Sequence, residues 1–167
     1  MAVSTVPKVR RDGEIKFSDG TGSPLTYTVS YENGNASFSR DKAERIVVRD
    51  RGVIVASRKG DDPVLSISFD VHMRMLTTTT ATDLCLVDII DQTGNVATIP
   101  WVKANTAHEE WNLDIFITIE GSDHGDGADY VAKFSDCIMT WSFSEGDPNT
   151  ISVSAECMGG YTATGPT

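Results

Sequence analysis

Leu65-Ser66-Ile67-Ser68-Phe69-Asp70-Val71-His72-Met73-Arg74-Met75 alternates apolar and polar residues without a break. A period of two puts Leu65, Ile67, Phe69, Val71, Met73 and Met75 on one face of a β-strand and Ser66, Ser68, Asp70, His72 and Arg74 on the other. The run over residues 64–76 exceeds the usual strand of about 5–6 residues, so it predicts an extended sheet with one wettable face.

The same alternation recurs along the chain. A short strand at 14–18 is stopped by Asp19-Gly20-Thr21-Gly22-Ser23-Pro24, and Leu25, Tyr27, Val29 and Tyr31 then alternate with Thr26, Thr28 and Ser30. Glu32-Asn33-Gly34-Asn35 is a turn, followed by a brief strand at 37–39. Residues 40–59 are charged and mostly non-alternating. Their apolar patches at 46–48 and 53–56 are too short for a second core, which predicts an excursion from the sheet, partly a hairpin around Gly52. A helix is expected at 83–91, capped by Thr82 or Asp83 and stopped at Gly94, with a strand at 96–102. Trp111, Leu113, Ile115, Ile117 and Ile119 form a second long strand, interrupted only by Phe116 on its polar side. After a strand at 130–134, Cys137, Met139, Trp141 and Phe143 alternate up one arm of a hairpin. Ile151, Val153, Ala155 and Cys157 alternate down the other, across the turn at 144–149. Residues 1–12 and 159–167 read as extended arms. Some eight strands, one short flanking helix and no βαβ unit predict a single mainly β domain over 1–167, two packed antiparallel sheets in a sandwich or barrel.

Composition narrows the function. The chain of 167 residues carries a net charge of −10, distributed unevenly. Residues 1–74 hold 12 of the 14 basic and 10 of the 24 acidic residues, a net of +2, and residues 75–167 net −12. Overall acidity argues against a protein that grips nucleic acid, which needs clustered Lys and Arg. The asymmetry has two readings: an acidic half that serves solubility, or head-to-tail complementarity between copies of the chain. The N-terminal segment lacks the apolar core of a secretory signal, and no apolar run approaches the ~18 residues of a membrane span, so folding in the cytoplasm is expected. Cys85, Cys137 and Cys157 lie in apolar patterns without a Cys-x-x-Cys spacing and read as buried thiols rather than disulfides or metal ligands.

The sequence carries no recognisable catalytic constellation. His72 stands on the polar face of a strand. His108-Glu109-Glu110 lacks the second histidine of a zinc-protease helix, because position 112 is Asn112. The loop at 121–129 offers Asp123, Asp126 and Asp129, yet without the terminal bidentate Glu of a calcium loop it reads as an ordinary Asp- and Gly-rich connection. Asp61 with Asp62, and Glu145 with Asp147, sit in turns beside glycine and proline, where local backbone hydrogen bonds account for them. With no phosphate-binding loop and no nucleophile motif, the chain is expected not to be an enzyme and to hold no cofactor or metal.

Several strings, in order, carry a resemblance. They are Ile15-Lys16-Phe17-Ser18-Asp19-Gly20 followed by Leu25-Thr26-Tyr27-Thr28-Val29 and Tyr31-Glu32-Asn33-Gly34-Asn35; Asp50-Arg51-Gly52 followed by Arg58-Lys59-Gly60-Asp61-Asp62-Pro63-Val64; and Phe134-Ser135-Asp136-Cys137 with Phe143-Ser144-Glu145-Gly146-Asp147-Pro148-Asn149. From about Gly13 to Gly160 the chain resembles the tail tube proteins, or major tail proteins, of long-tailed bacteriophages. The resemblance implies two packed antiparallel sheets with one flanking helix, a fold shared with the needle protein of type VI secretion systems. It also implies a virion structural protein assembled in the host cytoplasm. Hexameric rings would stack into a tail tube, one sheet of each subunit joining a continuous inner barrel through which DNA passes during ejection. The implied partners are further copies of the chain, a tape-measure protein, tail initiator or baseplate proteins and terminator proteins, with DNA passing unbound and no membrane contact.

Within that frame the polar strand faces suggest Ser66, Ser68, Asp70, Asp114, Thr118 and Glu120 as channel-facing, leaving open which sheet lines the lumen. The basic residues Arg40, Lys42, Arg45, Arg49, Arg51, Arg58 and Lys59 suggest a subunit or ring interface. An acidic, hydroxyl-rich bore repels phosphate and lets DNA slide. The alternative is a monomeric β-sandwich module binding carbohydrate or another ligand on Trp101, Trp111 and Trp141. The alternation places Trp111 and Trp141 on apolar faces, which favours a core role.

Overall fold

The computed structural model describes residues 13–30, 36–40, 43–73, 84–98, 100–121 and 127–165. In chain order these form β1 (Glu14–Ser18), β2 (Thr26–Ser30), β3 (Ser37–Arg40), β4 (Arg45–Asp50), β5 (Val53–Lys59) and β6 (Leu65–His72). There follow α1 (Leu86–Asp91), a 3₁₀ turn (Gly94–Ala97), β7 (Leu113–Ile119), β8 (Tyr130–Ser144) and β9 (Thr150–Thr164). Seven strands are hydrogen-bonded in the order β2-β1-β7-β8-β9-β6-β3, and β4 with β5 forms a separate two-stranded sheet. Every pairing is antiparallel.

The seven strands make two leaves because the β8–β9 hairpin is long enough to serve both. Residues 130–135 of β8 lie between β7 and residues 160–164 of β9. Residues 137–144 pair with residues 150–157 of β9, which in turn pair with β6. The changeover falls at a register shift between Ser135 and Cys137, where Asp136 has φ 56° and Gly160 has φ 93°. An inserted residue reverses which side chains face inward, so Ala132 and Phe134 are buried before it and Cys137 and Met139 after it. Gly159 completes the bend: a Cβ there would stand 2.8 Å from the Ser135 side chain and run into the Asp136 carboxylate.

The back leaf is therefore β2-β1-β7 with the first part of β8 and the last part of β9. The front leaf is the second part of β8, the first part of β9, β6 and β3. Their apolar faces meet. Phe17 of β1 and Phe69 of β6 are four strands apart in the hydrogen-bonded order, about 19 Å in a flat sheet, yet their ring centroids are 6.0 Å apart. Ile15, Leu113, Ile115, Ile117 and Phe134 from the back leaf share one core with Leu65, Ile67, Val71, Ile151 and Val153 from the front. α1 adds Leu86, Ile89 and Ile90, and the Trp111 indole N–H fastens it by donating to the Ile89 carbonyl at 2.9 Å. The mainly β, two-sheet architecture with one short helix is the one the alternation predicts.

Several expectations are corrected. β8 is one strand where two were expected, because the bulge carries the ladder across the change of phase. The arm expected at 159–167 continues β9 as far as Thr164, since Val131 to Ser135 offer it a partner. Cys137 and Cys157 are joined as a disulfide rather than being free thiols, because the β8–β9 register sets them opposite each other; Cys85 is free and buried. The helix begins at Leu86, with Cys85 as its N-cap and no side-chain cap, and it ends in a left-handed Gln92 (φ 51°) ahead of Gly94. Where a strand was expected at 96–102, the chain makes a 3₁₀ turn over Gly94–Ala97, and residues 100–102 are not in a strand. Residues 1–12, the turn at 31–35, the caps Thr82 and Asp83, the end of the long strand beyond Met73, and Lys42, Asp123 and Asp126 lie outside the described residues.

Candidate assembly surfaces

The outward face of the front leaf is a wall of small polar side chains spanning four strands. In register across β3, β6, β9 and β8, one row is Ser37, Ser68, Ser154 and Thr140, and the next is Ser39, Ser66, Glu156 and Ile138. Asp70, Ser152 and Ser142 form a third row, and His72, Thr150 and Ser144 a fourth. The Ser37 and Ser68 hydroxyls are 2.9 Å apart, and the Thr140 hydroxyl donates to the Ser154 carbonyl at 3.3 Å. Among the described residues no Lys or Arg stands on this wall. Its charge comes from Asp70 and Glu156.

Neither margin of the front leaf has a further strand beside it among the described residues. Among the described residues, β3 has a strand on one side only, and residues 138–144 of β8 have β9 on one side and no strand on the other. Unpaired strand margins are templates for pairing with another chain.

The outward face of the back leaf points the opposite way and is chemically different. Phe116, the residue that breaks the alternation, lies between Lys16 and Lys133 in register, their Nζ atoms 5.1 and 5.5 Å from its ring centroid. Lys133 also pairs with Asp114 at 2.7 Å, and the Asp136 backbone N–H donates to Asp114 at 3.2 Å. Of the residues suggested as channel-facing, the structure brings Ser66, Ser68 and Asp70 together. It sets Asp114 and Thr118 on the other outer face and Glu120 just past the end of β7.

The basic excursion is a hairpin in which every residue of both strands is exposed. It turns through Arg51 (φ 48°) and Gly52 (φ 87°), the two positive φ values of a type I′ connection. Arg45, Arg49, Arg51, Arg58 and Lys59 belong to it, and Arg40 ends β3. Alternation alone missed its second property: Ile46, Val47, Val48, Val53, Ile54 and Val55 are exposed as well. The signal was present as two short apolar patches too small to have a core of their own.

The remaining candidates have local roles. His108 Nε2 is 3.8 Å from Asp136, Asp129 accepts a hydrogen bond from the Gly121 N–H at 3.1 Å, and no cluster of three metal-binding side chains occurs among the described residues. Trp101 is buried and Trp111 is half-buried against the core. Trp141, 39% exposed, donates its indole N–H to Asp91 at 2.8 Å. The three indoles do not form a common exposed platform.

No protein-family model matches the chain, and no curated protein does. Solved structures do share its fold over essentially the whole length. A chain in the PVC sheath/tube terminator of an extracellular contractile injection system, in the extended state, superposes with a TM-score of 0.62 at 15% identity, covering 98% of this chain and 100% of that one. A chain of the PVC sheath-tube complex in the extended state gives 0.58 at 15% identity, with 98% and 99% covered. A chain of the six-fold symmetrised baseplate of the anti-feeding prophage gives 0.55 at 10% identity, with 99% and 98% covered. At these identities the likeness is one of fold.

Proposed function

We propose that the chain is a non-enzymatic structural subunit of a phage-tail-like particle, polymerising as stacked hexameric rings into a tube whose bore is lined by the front leaf. The observation that carries this reading is the four-strand hydroxyl wall bounded by two open strand margins. Pairing β3 of one subunit with the free margin of β8 in the next removes both edges and makes the wall continuous around a ring. Barrels of about 16–18 strands already leave an aqueous channel, and six four-stranded leaves exceed that number. The whole-length fold likeness to chains of sheath-tube and baseplate structures supports the same reading.

The mechanism is passive. Ser66, Ser68, Ser152, Ser154, Thr140 and Ser142 hold water without offering fixed positive charge, while Asp70 and Glu156 repel phosphate. DNA therefore passes without the counterion-releasing contacts that make basic surfaces adhere. Asp114 and Thr118 then lie on the outside of the tube. Other tail proteins, including tape-measure, baseplate and terminator proteins, contact the ends of the stack.

Negative-stain microscopy combined with cysteine accessibility tests the reading. The protein is expected to form rings or tubes in which Ser68→Cys is shielded from a polyethylene-glycol maleimide and Thr118→Cys is labelled. A compact monomer at every concentration, or the reverse labelling pattern, overturns it.

A further inference from the structure

We infer that the Cys137–Cys157 pair is a sealed redox clasp: whether it is a dithiol or a disulfide is decided while the chain folds, and that state then fixes how firmly the front leaf is held at its junction with the back leaf. The clasp acts within one subunit, whatever copies of the chain assemble into.

The pair stands where the leaves part. Leu113 of β7 lies opposite Cys137 of β8, Cys137 opposite Cys157 of β9, and Cys157 opposite Leu65 of β6. Among the described residues this is the one rung that runs through β7, β8, β9 and β6 together. On one side of it, residues 130–134 of β8 keep β7 as a neighbour, but the β9 residues they meet lie beyond β6. On the other side, residues 138–144 keep β9 and have no β7 beside them. A covalent bond at this rung pins the β8–β9 hairpin on the line from which both leaves diverge.

The backbone flanking the rung needs such a restraint. Asp136, immediately before Cys137, has φ 56°, and Gly160, three residues after Cys157, has φ 93°. A left-handed conformation at a residue with a Cβ persists only where its surroundings hold it. Asn105 Nδ2, which donates to the Asp136 carboxylate at 3.0 Å, and the neighbouring disulfide both restrain it. The two cysteines are 20 residues apart in sequence, so the bond also closes a loop that holds the whole front-leaf part of the hairpin. Closing a loop of that size restricts the unfolded chain, an effect on the order of a hundredfold in the unfolding equilibrium.

Burial then keeps the state from changing. Both cysteines are 0% exposed, and their register neighbours Leu113 and Leu65 are buried with them. Thiol–disulfide exchange requires a thiolate to reach a sulfur, so in the folded chain it waits on an opening of the hairpin. During folding the sulfurs are accessible, and a small-molecule disulfide is the oxidant. The thiolate of one cysteine attacks it, forming a mixed disulfide and releasing one small thiolate. The thiolate of the second cysteine attacks the mixed disulfide, which forms the Cys137–Cys157 bond and releases the other. Two protein thiols become one disulfide while one small disulfide becomes two thiols. Where reductant is in excess, the same chain folds around a dithiol.

The test uses the full chain refolded in two ways, with oxidised glutathione or with dithiothreitol that is then removed, the thiols being counted by mass spectrometry after alkylation in denaturant. The disulfide form, held in native buffer with excess dithiothreitol, is expected to keep its bond and to lose it at a rate that rises with urea in step with unfolding. The dithiol form, given oxidised glutathione under native conditions, is expected to oxidise only as fast as it unfolds. Its unfolding equilibrium constant is expected to be larger by on the order of a hundredfold. Amide hydrogen exchange in it is expected to accelerate across residues 138–156 more than across 14–18 and 26–30. Reduction in native buffer as fast as that of a solvent-exposed disulfide overturns the seal, and equal stability and exchange in the two forms overturn the clasp. Failure of the bond to form on folding with oxidised glutathione overturns both. A dithiol form that cannot fold shows the clasp at its strongest, and retention of the bond in the disulfide form still decides the seal.

Discussion

Asp19 shows how a single side chain holds the end of a leaf. Its carboxylate is buried and accepts hydrogen bonds from the Leu25 N–H (2.8 Å), the Thr21 hydroxyl (2.9 Å), the Val102 N–H (3.2 Å) and the Thr21 N–H (3.3 Å). A buried carboxylate is tolerated when donors replace its lost water. The turn at Asp19-Gly20 was legible from residue type, but the bond to Val102 joins positions 83 residues apart and was not. Tyr161 is similarly a product of the fold. The Tyr130 hydroxyl bonded to it, then partial burial, raise its pKa from 10.0 to about 12. The neutral phenol is thus favoured in the folded chain, so this contribution to stability is fully present below pH 10 and lost as pH rises through about 12. Ultraviolet titration of the phenolates is expected to show a tyrosine ionising near pH 12, and Tyr130→Phe to return it toward 10. The cysteines give a second check. Alkylation in denaturant without reductant is expected to modify Cys85 alone, and all three cysteines after reduction, as counted by mass spectrometry.

At the scale of elements, two hairpins stand in opposite relations to the core. β8–β9 threads both leaves, and its bulge at Asp136 converts one continuous ladder into a bend that tightens the local twist. Each half alternates cleanly, so the sequence showed two short strands. The residue that unites them appeared only as a break in phase between Phe134 and Cys137. β4–β5 is the opposite case, easily recognised as an excursion and making no contribution to the core. Substitutions there are expected to leave stability within about 0.5 kcal/mol. Chemical denaturation of monomeric Ile54→Asp, compared with wild type, checks this; a loss of several kcal/mol would show that the hairpin packs on its own subunit.

For the molecule as a whole, the decisive feature is that a single hydrogen-bonded order folds back on itself. Stability then depends on side chains that span the leaves, with Phe17 and Phe69 at the centre. Phe17→Ala is expected to cost about 3–5 kcal/mol through lost burial and the cavity left behind, a change that the midpoint of urea denaturation reads directly. Folding back also gives the subunit two outer faces of unlike chemistry. One is a hydroxyl wall, and the other carries Lys16, Phe116, Lys133 and Asp114. The channel-facing residues suggested by alternation drew on both faces, because a period of two reports whether a side chain points inward or outward and not which exterior it reaches.

By itself the sequence determined the class of the fold, the inward and outward sides of nearly every strand, and the charge asymmetry between the halves, since each follows from local spacing and composition. The tertiary structure alone decided that Ser66 and Asp114 face opposite ways and that Cys137 meets Cys157. These are relations between residues distant along the chain, and strand register and the bend of a shared hairpin create them where no local period records them.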